Sequence, residues 1–149
     1  MPGFGLPFAP GDTMFRKIFS TKAWLLIAGA IHLLMGVILQ SVQPETVAEM
    51  GWGDAMGPHD VMYEFVMGMF IFPHIAAMAA MAFLLKGGLQ AKFTAIFGGA
   101  TMLSFIGIAA YTADTGYMAE MGTVGAFAPP VILFLLLTVS GLVHWSDED

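Results

Sequence analysis

Residues 60–86 read DVMYEFVMGMFIFPHIAAMAAMAFLLK, and this stretch decides the fold. Between Val61 and Leu85 its polar side chains are Tyr63, Glu64 and His74 alone. As a helix rising ~1.5 Å per residue it would measure roughly 40 Å, enough to cross a hydrocarbon core ~30 Å thick. It therefore reads as a membrane span. Near its middle, His74 follows Pro73, which has no N–H and leaves the carbonyl of Met69 without its usual helical partner. An ionisable ring and a backbone defect at mid-depth both call for a physical reason.

The rest of the chain has the same character. Of its 149 residues 58% are hydrophobic and only 11% charged, with a mean hydropathy of +0.79, whereas about a quarter of a soluble domain is charged. The expected fold is an all-α integral membrane protein: four transmembrane helices in an up-down bundle, over residues 23–40, 61–85, 91–111 and 126–145. Residues 1–22 precede this domain as an arm and a short interfacial helix, and residues 146–149 follow it as an acidic tail. Three prolines and three glycines in the first eleven positions exclude a regular element there. The run TMFRKIFST (13–21) alternates basic and apolar side chains, as a helix lying on the membrane surface does. No small-residue cleavage site follows, so the first span is expected to be retained.

Charge sets the expected orientation. Arg16, Lys17, Lys22, Lys86 and Lys92 all flank the N-terminus or the turn between spans 2 and 3, whereas Glu45, Glu49, Asp54, Asp60, Asp114 and Glu120 occupy the other two loops. By the positive-inside rule both termini face the cytoplasm, stroma or matrix of a bacterial inner membrane or an organellar membrane. Five basic against eleven acidic residues exclude a nucleic-acid partner. The absence of cysteine excludes disulfides, thiolate chemistry and iron–sulfur clusters.

In the first outer loop, PETVAEMG (44–51) reads as a short surface helix opened by Pro44 and closed by Gly51. AEMG recurs at 119–122, and the same shift of 71 residues places Gly36 on Gly107 and Pro58 on Pro129. This raises the expectation of two parallel hairpin repeats, against coincidence in an Ala-, Met- and Gly-rich chain. Small residues at Ala28 and Gly36 in span 1 and at Gly99 and Gly107 in span 3 mark an expected packing seam.

Two histidines lie inside spans. His32 is ten residues from Lys22 and His74 twelve from Lys86, which puts both rings roughly 15–18 Å from one membrane face. They could be structural hydrogen-bond donors. As the lesser alternative they are axial ligands, with one imidazole on a chlorophyll magnesium or both on a b-type haem iron. At the outer end of span 2, His59, Asp60 and Glu64 cluster as oxygen and nitrogen donors for a divalent cation, or as an ordinary helix start. A proton, ion or copper path would draw on His74, Glu64 and span-3 and span-4 hydroxyls, or on Met56, His59, Met62, Met67 and Met69.

No G-x-S-x-G, H-E-x-x-H or phosphate-binding loop is present, so no enzyme activity is expected. With almost no extramembrane domain, an apolar arm and small-residue faces, the chain reads as a non-catalytic accessory subunit of a larger membrane assembly, its partners being lipid and other membrane subunits. Tetrapyrrole binding and transport are the alternatives.

Overall fold

The computed structural model describes residues 13–118 and 121–148, and among these every regular element is helical. The expected N-terminal arm (1–12), Glu120 and Asp149 lie outside the described residues. Helix α1 (Thr13–Ile18) turns at Phe19 and Ser20 into α2 (Thr21–Ile31). The chain then continues through a wider π-type helix (His32–Ile38) into α3 (Leu39–Val42). Across the far end lie α4 (Pro44–Trp52) and a 3₁₀ turn (Gly53–Ala55). Three long helices follow: α5 (Pro58–Leu84), α6 (Gly87–Thr112) and α7 (Thr123–Val143).

Among the described residues four helical stretches are long and apolar enough to cross a membrane: Met14–Val42, Pro58–Leu84, Gly87–Thr112 and Thr123–Val143. The four-span all-α fold is therefore as expected. Pro44 and Pro58 sit where a missing N–H costs nothing, opening α4 and α5. Helix α5 runs straight through Pro73. At its other end Gln90 reaches back from α6, its side-chain amide donating to the carbonyls of Met81 (2.8 Å) and Leu85 (3.0 Å). Two carbonyls that a helix end leaves unpaired are thereby satisfied.

One loop expectation is corrected in detail. The surface helix after span 1 forms, but it ends two residues later, with Gly53 at φ +54° as the cap. A left-handed cap suits glycine because it has no Cβ to clash. Gly51 is needed for another reason: a Cβ there would sit 2.5 Å from the ring of Tyr117.

The core joins Leu25 and Ala28 of α2, Met78, Met81 and Ala82 of α5, and Leu133, Phe134 and Leu137 of α7. Helix α6 packs most extensively on α7. The close crossing is at Gly98 and Gly141: a Cβ on Gly141 would lie 2.5 Å from the backbone of Ala91 and Ala95, and one on Gly98 would lie 2.9 Å from the nitrogen of Thr138. Of the expected seam, Ala28 is fully buried, Gly36 faces Ile71, and Gly99 is in ordinary contact with Thr138. Gly107 has nothing within reach. Eight residues along an α-helix turn it about 80° past the starting face, so Gly107 rotates away from the line that Gly99 follows. The repeat expectation also fails at these positions. Pro58 opens a helix while Pro129 lies inside one, and Gly36 is packed where Gly107 is open.

Both ends of the described chain meet at one end of the bundle. Arg16 of α1 donates to the carbonyl of Val143 (3.2 Å) and pairs with the carboxylate of Asp147. His144 Nε2 donates to the carbonyl of Arg16 (3.1 Å), which leaves Nδ1 between the Arg16 guanidinium (3.1 Å) and Asp147 (2.8 Å). The acidic tail is thus partly a structural clasp, not only a solvated end. Burial pushes the Asp147 carboxyl up, but hydrogen bonds from His144 and Arg16 and the charge of both outweigh it and hold it below its usual value. A depressed carboxyl stabilises the fold above the unfolded value of about 3.9 and loses that contribution as pH falls further. Amide exchange over residues 14–18, corrected for its intrinsic pH dependence, is expected to lose protection below about pH 4. Protection that is flat across that range would show that the clasp does not hold α1.

Candidate functional site

The π-type stretch begins at His32. Its backbone bonds reach five residues back, as from the N–H of Leu39 to the carbonyl of Leu34. One extra residue per turn widens the helix and shifts the phase of all that follows, a distortion frequent at functional sites. Here it opens the bundle beside α7. A cavity of about 590 Å³ lies between the π-type stretch, Ile71 of α5, Phe105 of α6, the start of α7, and Met118 and Met121 of the far loop. Its wall is mostly apolar, with His32 and Gln40 as polar side chains. Pro129 and Pro130, also in the wall, have no N–H, so the carbonyls of Gly125 and Ala126 lack their usual helical donor.

His32 is 8% exposed. Its ring stands edge-on to Phe134, with centroids 4.8 Å apart, and to Phe105 at 6.2 Å. Nδ1 is sealed from solvent and has no hydrogen-bond partner among the described residues. An unpaired polar atom this deep costs about 1–3 kcal/mol, so its surroundings have a consequence for the whole ring.

Beyond the cavity, the far end of the bundle is locked by a buried carboxylate. Gly68 of α5 lies so close to Gln40 and Ser41 that a Cβ would meet Ser41 Oγ at 2.5 Å. That approach brings Gln40 within reach of Glu64, one turn away, and its amide donates to Glu64 Oε2 (3.0 Å). From the other side the Tyr117 hydroxyl donates to Glu64 Oε1 (2.9 Å). Tyr117 is seated by Gly51 and by the edge of Trp52, 5.2 Å between centroids, while the Met118 N–H donates to the Gly51 carbonyl (2.6 Å). Burial, and then the Glu64 charge and hydrogen bond, push the Tyr117 phenol well above its usual value, which keeps it a donor. The lock was not apparent from the sequence, where Tyr117 and Glu64 lie 53 residues apart.

His59, Asp60 and Glu64 do not converge. Asp60 is buried and accepts from the Gly57 N–H (2.7 Å) as a helix cap, His59 stands 3.4 Å from it and is exposed, and Glu64 is taken by Gln40 and Tyr117. No group of three acidic or imidazole side chains able to hold a metal ion occurs among the described residues. Met56, Met62, Met67 and Met69 are exposed. The hydroxyls of Thr94, Thr101, Ser104, Thr138 and Ser140 each donate to a carbonyl three or four residues back.

The two intramembrane histidines part company. His74 lies on the exposed side of α5, whereas His32 is inside. No hydrogen bond joins them. A chain of rings runs between them, His74 to Phe97 (5.9 Å), Phe97 to Phe134 (6.3 Å) and Phe134 to His32 (4.8 Å). A metal-ligating histidine almost always donates its second ring N–H to an oxygen. His32 Nδ1 has no such acceptor, so this side chain does not fit a haem or chlorophyll metal at its other nitrogen. His74 does, because its Nδ1 lies 3.3 Å from the carbonyl of Phe70.

No protein-family model, curated protein or solved structure matches this chain.

Proposed function

We propose that this protein is a non-catalytic accessory subunit of a larger membrane assembly, with both termini and the turn between α5 and α6 on the cytoplasmic, stromal or matrix side. The observation that carries the reading is His74. An ionisable side chain inside a span almost always faces the bundle interior or a water-filled cavity, and this one lies on the exposed side of α5. Its Nδ1 donates to the Phe70 carbonyl, which fixes the tautomer and leaves the Nε2 lone pair on the outer face without a partner among the described residues. A transmembrane helix of another subunit that offers a hydroxyl, amide or indole N–H at that depth would pair it. On the same helix face, four and seven residues back, Phe70 and Met67 supply exposed apolar contact area. Both basic and terminal elements gather at one end of the bundle, which suits the proposed orientation.

The same geometry favours one second reading. A free Nε2 backed by a carbonyl-bound Nδ1 is also the arrangement that holds a haem iron or a chlorophyll magnesium, here on the outer face of the bundle.

The test is substitution at His74 in the native membrane. His74→Leu is expected to release the chain from its particle, and His74→Gln, which keeps an acceptor, is expected to retain it in part. Retention of His74→Leu at the wild-type level would overturn the subunit reading. Visible absorption that accompanies the wild-type particle and is lost in His74→Leu would favour the tetrapyrrole instead.

A further inference from the structure

The cavity beside His32 is independent of that outer face. We propose that it is a binding site for an uncharged, largely apolar molecule carrying an oxygen acceptor, which takes a hydrogen bond from His32 Nε2.

A neutral imidazole holds one N–H and one lone pair. His32 Nδ1 is sealed and unpartnered. Were the proton there, a buried N–H would go unpaired, and orphaned donors are much rarer than under-used acceptors. The lone pair therefore sits on Nδ1 and the proton on Nε2. Phe134 and Phe105 hold the ring edge-on, so it cannot simply turn to a different partner. No protein acceptor among the described residues meets Nε2, and His32, 8% exposed, lines the cavity. A donor aimed into an apolar enclosure selects for an acceptor.

The remaining wall defines the rest of the ligand. Gln40 commits one amide N–H to Glu64 and its Oε1 is sealed without a partner among the described residues, while Glu64 does not line the cavity. Among the described residues no Lys, Arg, Asp or Glu contributes to the wall, so an ion would lose its hydration there without a counter-charge from them. Ile71, Phe105 and Leu133 offer broad apolar surfaces suited to a ring system. At about 590 Å³ the space lies in the range of ordinary small-molecule pockets.

Fluorenone and fluorene test this directly, because they share a shape and differ in a carbonyl oxygen. Each is titrated into the full chain in lipid nanodiscs, with partition into protein-free nanodiscs subtracted. Fluorenone is expected to bind about tenfold more tightly than fluorene, the scale of one neutral hydrogen bond. The preference is expected to vanish in His32→Leu. The imidazole ¹⁵N–H resonance of His32 in the unmodified chain is expected to shift with fluorenone and not with fluorene, a readout that needs no variant. Binding of neither compound above the protein-free control would overturn the site. Equal binding of both, or a preference that survives in His32→Leu, would overturn the hydrogen bond that defines its ligand.

Discussion

Gly141→Leu is expected to separate α6 from α7 and to destabilise the protein by more than about 3 kcal/mol, beyond the usual cost of overpacking. The added Cβ alone would lie 2.5 Å from the carbonyl of Ala91 and the nitrogen of Ala95, and these are backbone atoms that no rotamer change can move. In lipid this contact has no substitute. Helices there gain little from hiding apolar surface from each other and depend on close backbone approach. Gly107→Leu is the matched control: nothing lies near its Cβ, and an effect within about 0.5 kcal/mol is expected. Denaturation in a detergent titration, followed by circular dichroism, reads both. Equal stability of the two variants would show that the crossing is not held where the structure places it.

Glu64→Ala carries the second large effect. It strips the acceptor from the Tyr117 hydroxyl and from the Gln40 amide, both at the closed far end of the bundle. Leaving each unpaired costs about 1–3 kcal/mol, so a loss of roughly 2–6 kcal/mol is expected. The turn at residues 113–118 should also lose amide protection, because Tyr117 is one of its few ties to the bundle besides the Met118–Gly51 bond. Glu64→Gln keeps one acceptor oxygen and is expected to lose less. An unchanged exchange rate at 113–118 in Glu64→Ala would show that the carboxylate does not hold the loop.

The four spans were legible because a bilayer permits so few solutions. Long apolar runs bounded by Pro, Gly and charge could only be helices, and the clustering of all five basic residues near one end followed from the same reasoning. Features that depend on which residues meet were not legible. Tyr117 and Glu64 are 53 residues apart, and nothing in TGYMAEMG announces that its tyrosine turns inward. Glycine spacing suggested a seam through Gly99 and Gly107, but the true crossing is at Gly98 and Gly141, set by the register of α6 against α7.

The histidines show the same division. Matching depth was readable from their distances to Lys22 and Lys86, but depth leaves the direction around the helix open. The π-type stretch that begins at His32 has no mark in HLLMGVI, since a wide turn is a compromise with neighbouring helices and not a local preference. His144 and Asp147 read as the end of a span and a solvated tail. Only their meeting with Arg16 makes them a clasp.

The most direct measurement of the central claim is native mass spectrometry of the particle that contains this chain, released from its own membrane with surrounding lipid. The expected result is a particle in which the chain is accompanied by at least one different polypeptide. A particle consisting only of this chain, as one copy or several, would contradict it.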